Sequence, residues 1–80
     1  MILVINLEQK EFEMLIERAI TSMENAGYDP LAQFTGYLQY GDDTYITRSG
    51  GAREIVRTLD KERIAAYIEM RYKGSKGSTL

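Results

Sequence analysis

The sequence predicts an all-α protein, a compact bundle of four or five short helices. Two observations carry that expectation: apolar residues recur at three- and four-residue steps in successive stretches, and residues that start or stop helices stand at the ends of those stretches. A third, the length of 80 residues with one proline and no cysteine, restricts the chain to a single small core. A domain of this size buries only about 60 to 65% of the surface its unfolded chain exposes. With no disulfide to compensate, a helical homodimer is the expected assembly.

Between residues 7 and 26 the apolar positions Phe12, Leu15, Ile16, Ala19, Ile20, Met23 and Ala26 fall along one side of a helix. Asn6 followed by Gln9 has the spacing of a capping box, and Glu8 and Glu11 suit the positive end of the helix dipole. Gly27 suits the left-handed position that closes the helix. Asp29 as N-cap and Pro30 as first helical residue open a second helix that runs to about Tyr40, with Leu31, Phe34 and Leu38 inward. Gly36 inside it costs roughly 1 kcal/mol relative to alanine, which a close helix crossing explains.

Gly41, Asp42, Asp43 and Thr44 form a turn, and Tyr45, Ile46 and Thr47 leave room for a pinned loop or one helical turn. Ala52, Ile55, Val56 and Leu59 give a short third helix beginning near Gly51. Asp60 ends it and caps a fourth helix from residue 61 to about residue 73, with Ile64, Ala65, Ile68 and Tyr72 inward. In this single domain of residues 1–80, residues 74–80 read as a flexible tail. The apolar residues Met1, Ile2, Leu3, Val4 and Ile5 belong to an N-terminal arm, residues 1–6, packed on a neighbour or partner.

With no histidine and no cysteine, the commonest general base, the thiol nucleophile and the thiolate metal site are absent from the chain. A non-enzymatic protein without cofactor is expected. The apolar opening is too short for a signal peptide and lacks a basic flank, so the expected location is the cytoplasm, with no membrane contact. Glu8, Glu11, Glu13 and Glu17 read as an ordinary acidic helix surface rather than a metal site, and Asp42 and Asp43 lack the alternating oxygen ligands of a calcium loop. No glycine-rich phosphate loop is present.

Charge is uneven along the chain. Residues 1–47 carry two bases and eight acids, net −6, whereas residues 48–80 carry eight bases and four acids, net +4. A net-acidic domain is a poor nucleic-acid binder, and the asymmetry suits an anionic protein surface or self-pairing. Arg53, Arg57 and Lys61 recur at i, i+4 and i+8, preceded by Arg48 at the helix entry, a spacing that on a helix puts their heads in one sector. Guanidinium forks receive phosphate or carboxylate bidentately. The row is either a solvated face, relieved by Glu54 and Asp60 or paired with the acidic first helix, or a site for an anionic partner. Of six tyrosines, Tyr28, Tyr37, Tyr40 and Tyr45 are candidate interface residues, with packing between helices as the alternative role.

The order and spacing of Gly27, Tyr28, Asp29, Pro30, Gln33, Gly36, Tyr37, Leu38, Gly41, Asp42, Tyr45, Ile46, Arg48, Ala52, Arg53, Ile55 and Arg57 resemble the IreB/ReoM regulatory phosphoproteins of Gram-positive bacteria. The resemblance is dense from residue 27 to about residue 59 and looser over the first and fourth helices. It implies an all-helical homodimer without catalytic activity, a cytoplasmic target of the PASTA-type Ser/Thr kinase that monitors the cell wall. It further implies control of ClpC-dependent degradation of UDP-N-acetylglucosamine enolpyruvyl transferase, relieved by phosphorylation. Family arginines important to that role match Arg48, Arg53 and Arg57, with Lys61 at the position of a fourth. Three departures stand out. The family's N-terminal phosphoacceptor threonine is not carried over, since no Ser or Thr precedes Thr21: either the true start lies upstream, or this member acts without that switch, or another site such as Ser75, Ser78 or Thr79 replaces it. Asp43 and Thr47 replace usual prolines, which loosens the loop before Arg48. Lys61 gives up bidentate geometry. A helix-turn-helix DNA-binding module made of the second and third helices is the competing reading, against which the net charge of −2 stands.

Overall fold

The computed structural model describes residues 7–77, with side chains as far as Lys73, and within them every regular element is helical. Helix α1 spans Gln9–Asn25, α2 Pro30–Tyr40, α3 Ala52–Arg57 and α4 Lys61–Gly77; two 3₁₀ turns, Asp43–Tyr45 and Ser49–Gly51, stand between α2 and α3. The arm at residues 1–6 lies outside the described residues, as do residues 78–80. Helix α4 continues four residues beyond the expected end near Lys73, to Gly77.

The ends of the helices follow local chemistry. Tyr28 N–H donates to Met23 O and Gly27 N–H to Glu24 O, both at 2.9 Å, a Schellman closure in which Gly27 takes φ of 87°. Asp29 Oδ1 accepts from Leu31 N–H at 3.1 Å with Pro30 behind it in the first turn. Asp60 Oδ2 accepts from Arg63 N–H at 3.0 Å and so caps α4. Asn6 of the expected capping box lies outside the described residues. The N-cap of α1 is Glu8, whose side chain makes no cap hydrogen bond, and Gln9, the first helical residue, donates to Glu13 at 3.0 Å.

The core collects Phe12, Ile16, Ala19, Ile20 and Met23 of α1, Phe34 and Tyr37 of α2, Ile46 of the loop, Ala52, Val56 and Leu59 around α3, and Ile64 and Ile68 of α4. At about 25 cal/mol per Å² of apolar surface removed from water, a fully buried isoleucine or phenylalanine contributes roughly 1.5–3 kcal/mol. Helix α1 is therefore the spine, packing most extensively on α3 and on the 3₁₀ turn before it. Leu15, Leu31, Leu38, Ile55 and Tyr72 pack around the core, half-buried. Ala26 and Ala65 are exposed rather than inward. Ala65 sits one step of about 100° past Ile64, beyond the face that Ile64 and Ile68 define, and Tyr67 packs on the core instead.

Gly36 does meet a close neighbour, but not another helix. A Cβ there would lie 2.5 Å from Tyr45 Cδ1, so the missing side chain makes room for the ring of the first 3₁₀ turn. Tyr45 in turn stacks on Tyr40, with centroids 5.3 Å apart and planes at 18°.

The backbones of α1 and α4 approach only sparsely, and long side chains join them. Arg71 places Nε 2.6 Å from Glu17 Oε2 and Nη2 2.9 Å from Oε1, and Tyr67 O–H donates to the same Oε2. Arg63 donates from Nη1 to Leu7 O at 2.8 Å and from Nη2 to Gln9 Oε1 at 3.0 Å, with its guanidinium 4.5 Å from the Phe12 ring centroid. Phe12 and Tyr67 meet edge to face at 5.9 Å.

Candidate functional site

The basic residues singled out by spacing converge on two adjoining depressions. Arg48, Gly51, Arg53, Glu54 and Arg57 line one; Tyr37, Gly41, Asp43, Arg57, Leu59, Asp60 and Lys61 line the other. Arg57 is common to both. The row that a helix wheel places on one sector is thus a continuous surface running from the second 3₁₀ turn to the first turn of α4.

Each cation is held differently. Arg53 is half-buried, with Nε donating to Ile46 O at 2.9 Å and its backbone N–H to Thr47 O at 3.1 Å. One edge of its guanidinium is thereby fixed by a neutral carbonyl, which leaves its positive charge uncompensated by any carboxylate hydrogen bond among the described residues. The Arg48 side chain is exposed and makes no hydrogen bond or ion pair among the described residues. Arg57 Nε donates to Asp43 Oδ2 at 2.7 Å, an ion pair whose side chains remain 43% and 22% exposed. The Asp43 carboxylate favours the charged Arg57, first through this hydrogen bond and then through its charge. Lys61 lies outside the third helix, in the first turn of α4, with Nζ 5.4 Å from the Tyr37 ring centroid.

Asp43 is the residue that spacing did not find. Glu54 and Asp60, each three positions from Arg57, were expected to relieve it. Glu54 acts on Arg57 only through charge, and the Asp60 carboxylate is committed to capping α4. Asp43 reaches Arg57 across 14 positions with no periodic relation, so only the folded chain reveals the pair. Pairing of the stripe with the acidic first helix, one of the alternatives the sequence left open, is absent among the described residues. Glu17 of α1 goes to Arg71 and Tyr67 instead.

The loop before Arg48 is pinned rather than loosened. Thr47 N–H donates to Gln33 Oε1 at 2.9 Å, Thr47 Oγ1 accepts from Ser49 N–H at 3.1 Å, and Ile46 is fully buried. Asp42 Oδ1 accepts from both the N–H and the hydroxyl of Thr44, at 3.0 and 2.8 Å. Those hydrogen bonds, the backbone one first, hold the Asp42 carboxyl below its ordinary range despite full exposure, and Arg53 adds to the effect. The arrangement presents two held guanidinium groups, Arg53 and Arg57, beside the unheld Arg48, and guanidinium groups can receive carboxylate or phosphate oxygens.

Among the four candidate interface tyrosines, Tyr28, Tyr40 and Tyr45 are exposed, at 50%, 63% and 44%. Tyr37 is a core residue at 5%, because its ring position on α2 turns it toward α4 rather than outward. Burial raises its hydroxyl pKa, with the Asp43 charge contributing less.

Helices α2 and α3 do not form a helix-turn-helix pair. Residues 41–51, including both 3₁₀ turns, separate them, where that motif uses a turn of about 3–4 residues, and α3 packs on α1. Among the described residues, no helix is long and apolar enough to cross a membrane, and no group of three or more carboxylates gathers as a metal site.

A family model described as IreB regulatory phosphoprotein matches residues 1–72, which takes in α1, α2, α3 and most of α4 together with all four basic residues. The chain belongs to the IreB regulatory phosphoprotein family.

Proposed function

We propose that this protein is a non-enzymatic regulator of peptidoglycan synthesis that works by docking an acidic protein surface on Arg48, Arg53, Arg57 and Lys61. The observation that carries the reading is the convergence of Arg48, Arg53 and Arg57 on one depression in a member of a regulatory phosphoprotein family. Arg53 is pre-oriented by a neutral carbonyl and Arg48 extends into solvent, so an incoming anion meets charge whose geometry is already partly fixed. Exposed Tyr28, Tyr40 and Tyr45 offer further contact area at low entropic cost.

The partners in this reading are those of the family resemblance: the PASTA-type Ser/Thr kinase, ClpC and UDP-N-acetylglucosamine enolpyruvyl transferase, in the cytoplasm. The protein acts as a homodimer and lowers the stability of the transferase by favouring its degradation. Replacing Arg53 and Arg57 together by alanine, then following transferase turnover in cells, tests this directly. Slowed turnover with the variant still folded by circular dichroism is the expected result. Turnover equal to wild type removes the proposal.

A further inference from the structure

We propose that Asp43 is a built-in competitor for the arginine surface, an intramolecular carboxylate that occupies Arg57 until the partner's own acidic group displaces it. The inference rests on the anion-docking reading given above and concerns how that site is regulated.

Four observations lead to it. Arg57 is the one residue shared by both depressions, so whatever engages it affects the whole basic surface. Its Nε is directed at Asp43 Oδ2 at 2.7 Å, the geometry with which it would meet an external carboxylate. The pair is half-open to water, with Arg57 43% exposed, so it can exchange with an external anion rather than being sealed into the core. Asp43 is also presented from outside α3, on a turn held by Ile46 N–H on Asp43 O at 3.0 Å and by Asp42 on Thr44. Neither of those hydrogen bonds uses the Asp43 carboxylate.

The charged residues that line the two depressions with Arg57 are Asp43 on the first 3₁₀ turn, Arg48 ahead of the second, Arg53 and Glu54 on α3, Asp60 between α3 and α4, and Lys61 at the start of α4. Asp43 is the one that hydrogen-bonds Arg57 among the described residues. The consequence is a graded preference. A ligand with a single weak acid is satisfied by Arg48 and Arg53 and leaves Asp43 in place. A partner presenting several adjacent acids, or a phosphate, replaces Asp43 at Arg57 and gains the third arginine.

The test uses the full chain and a fluorescein-labelled hexaglutamate peptide followed by fluorescence anisotropy at low salt. Asp43→Asn keeps an oxygen acceptor but removes the competing charge, and Asp43→Ala removes both. Each is expected to bind the peptide about 2- to 5-fold more tightly than wild type, equivalent to roughly 0.4–1 kcal/mol at about 1.4 kcal/mol per decade, the range of an exposed ion pair. In an Arg57→Ala background the same substitutions are expected to change affinity by less than about 1.5-fold, since the competed residue is gone. Unchanged or weaker binding by both Asp43 variants, while Arg53→Ala reduces binding, overturns the competitor and leaves the docking surface standing. No binding by wild type or by either Asp43 variant overturns the docking surface and the competitor together. An equal gain with and without Arg57 shows a general field effect and also overturns the competitor.

Discussion

At the scale of single residues, the connection between α1 and α4 depends on Glu17. One carboxylate receives two guanidinium hydrogen bonds from Arg71 and one hydroxyl hydrogen bond from Tyr67. The Arg71 hydrogen bond, opposed in part by burial, pulls the Glu17 carboxyl below its ordinary value of 4.5. A carboxylate with a lowered folded-state pKa contributes stability that is complete above the unfolded value and is lost as pH falls through the folded value. Glu17→Gln is therefore expected to cost roughly 1 kcal/mol at neutral pH, the modest figure appropriate to a pair this open to solvent. The cost should shrink in urea melts taken progressively below pH 4.5. Tyr67 titrates with the opposite sign. Burial first, then the Glu17 hydrogen bond, pushes its hydroxyl from 10 up to about 12, so its contribution holds below pH 10 and fades between 10 and 12. Tyr67→Phe should remove that alkaline limb from the stability profile. An unchanged limb would place the effect elsewhere.

At the scale of elements, local chemistry accounts for boundaries and tertiary contact for exceptions. The caps at Asp29 and Asp60 and the closure at Gly27 follow from residue type alone, since Asp accepts from the first turn and glycine tolerates positive φ. Gly36 is different. By helix propensity Gly36→Ala should stabilise α2 by about 1 kcal/mol, yet the new Cβ would stand 2.5 Å from the Tyr45 ring. Overpacking outweighs propensity here, and a net loss of about 1–2 kcal/mol is expected in thermal or chemical melts. In a Tyr45→Ala background the sign should reverse, because the obstructing ring is gone. A stabilising Gly36→Ala in the wild type would show that the aromatic turn is not held against α2. The same contact explains why a helix crossing was the wrong expectation: periodicity sees only α2, and the ring comes from a turn whose position no local pattern encodes.

At the scale of the whole molecule, one thin core supports everything, including the arginine surface. Ile20 is fully buried on α1, the helix against which α3 packs. Ile20→Ala should cost about 2–5 kcal/mol, a large share of the total stability of a domain this small. Loss of the cooperative thermal transition, together with loss of binding to acidic peptide, is the outcome expected by circular dichroism and anisotropy. Retained binding without a folded core would mean that the basic residues act as an unstructured charge cluster. The split of charge along the sequence also acquires a physical use at this scale. Acidic Glu17 and Asp43 from the first part of the chain hold Arg71 and Arg57 from the second, so part of the asymmetry closes the fold and part remains at Arg48 and Arg53.

The all-α class, the helix starts at Pro30 and near Gly51 and Lys61, most of the apolar faces and the alignment of Arg53 and Arg57 were legible in the sequence. They depend on periodicity and on capping chemistry, which act between residues three or four apart. The partner of Arg57, the burial of Tyr37, the ring against Gly36 and the bridge from α4 to Glu17 were decided by the tertiary structure alone. Each joins residues from different elements, brought together because burying the α1 face fixes where α3 and the preceding turns must lie.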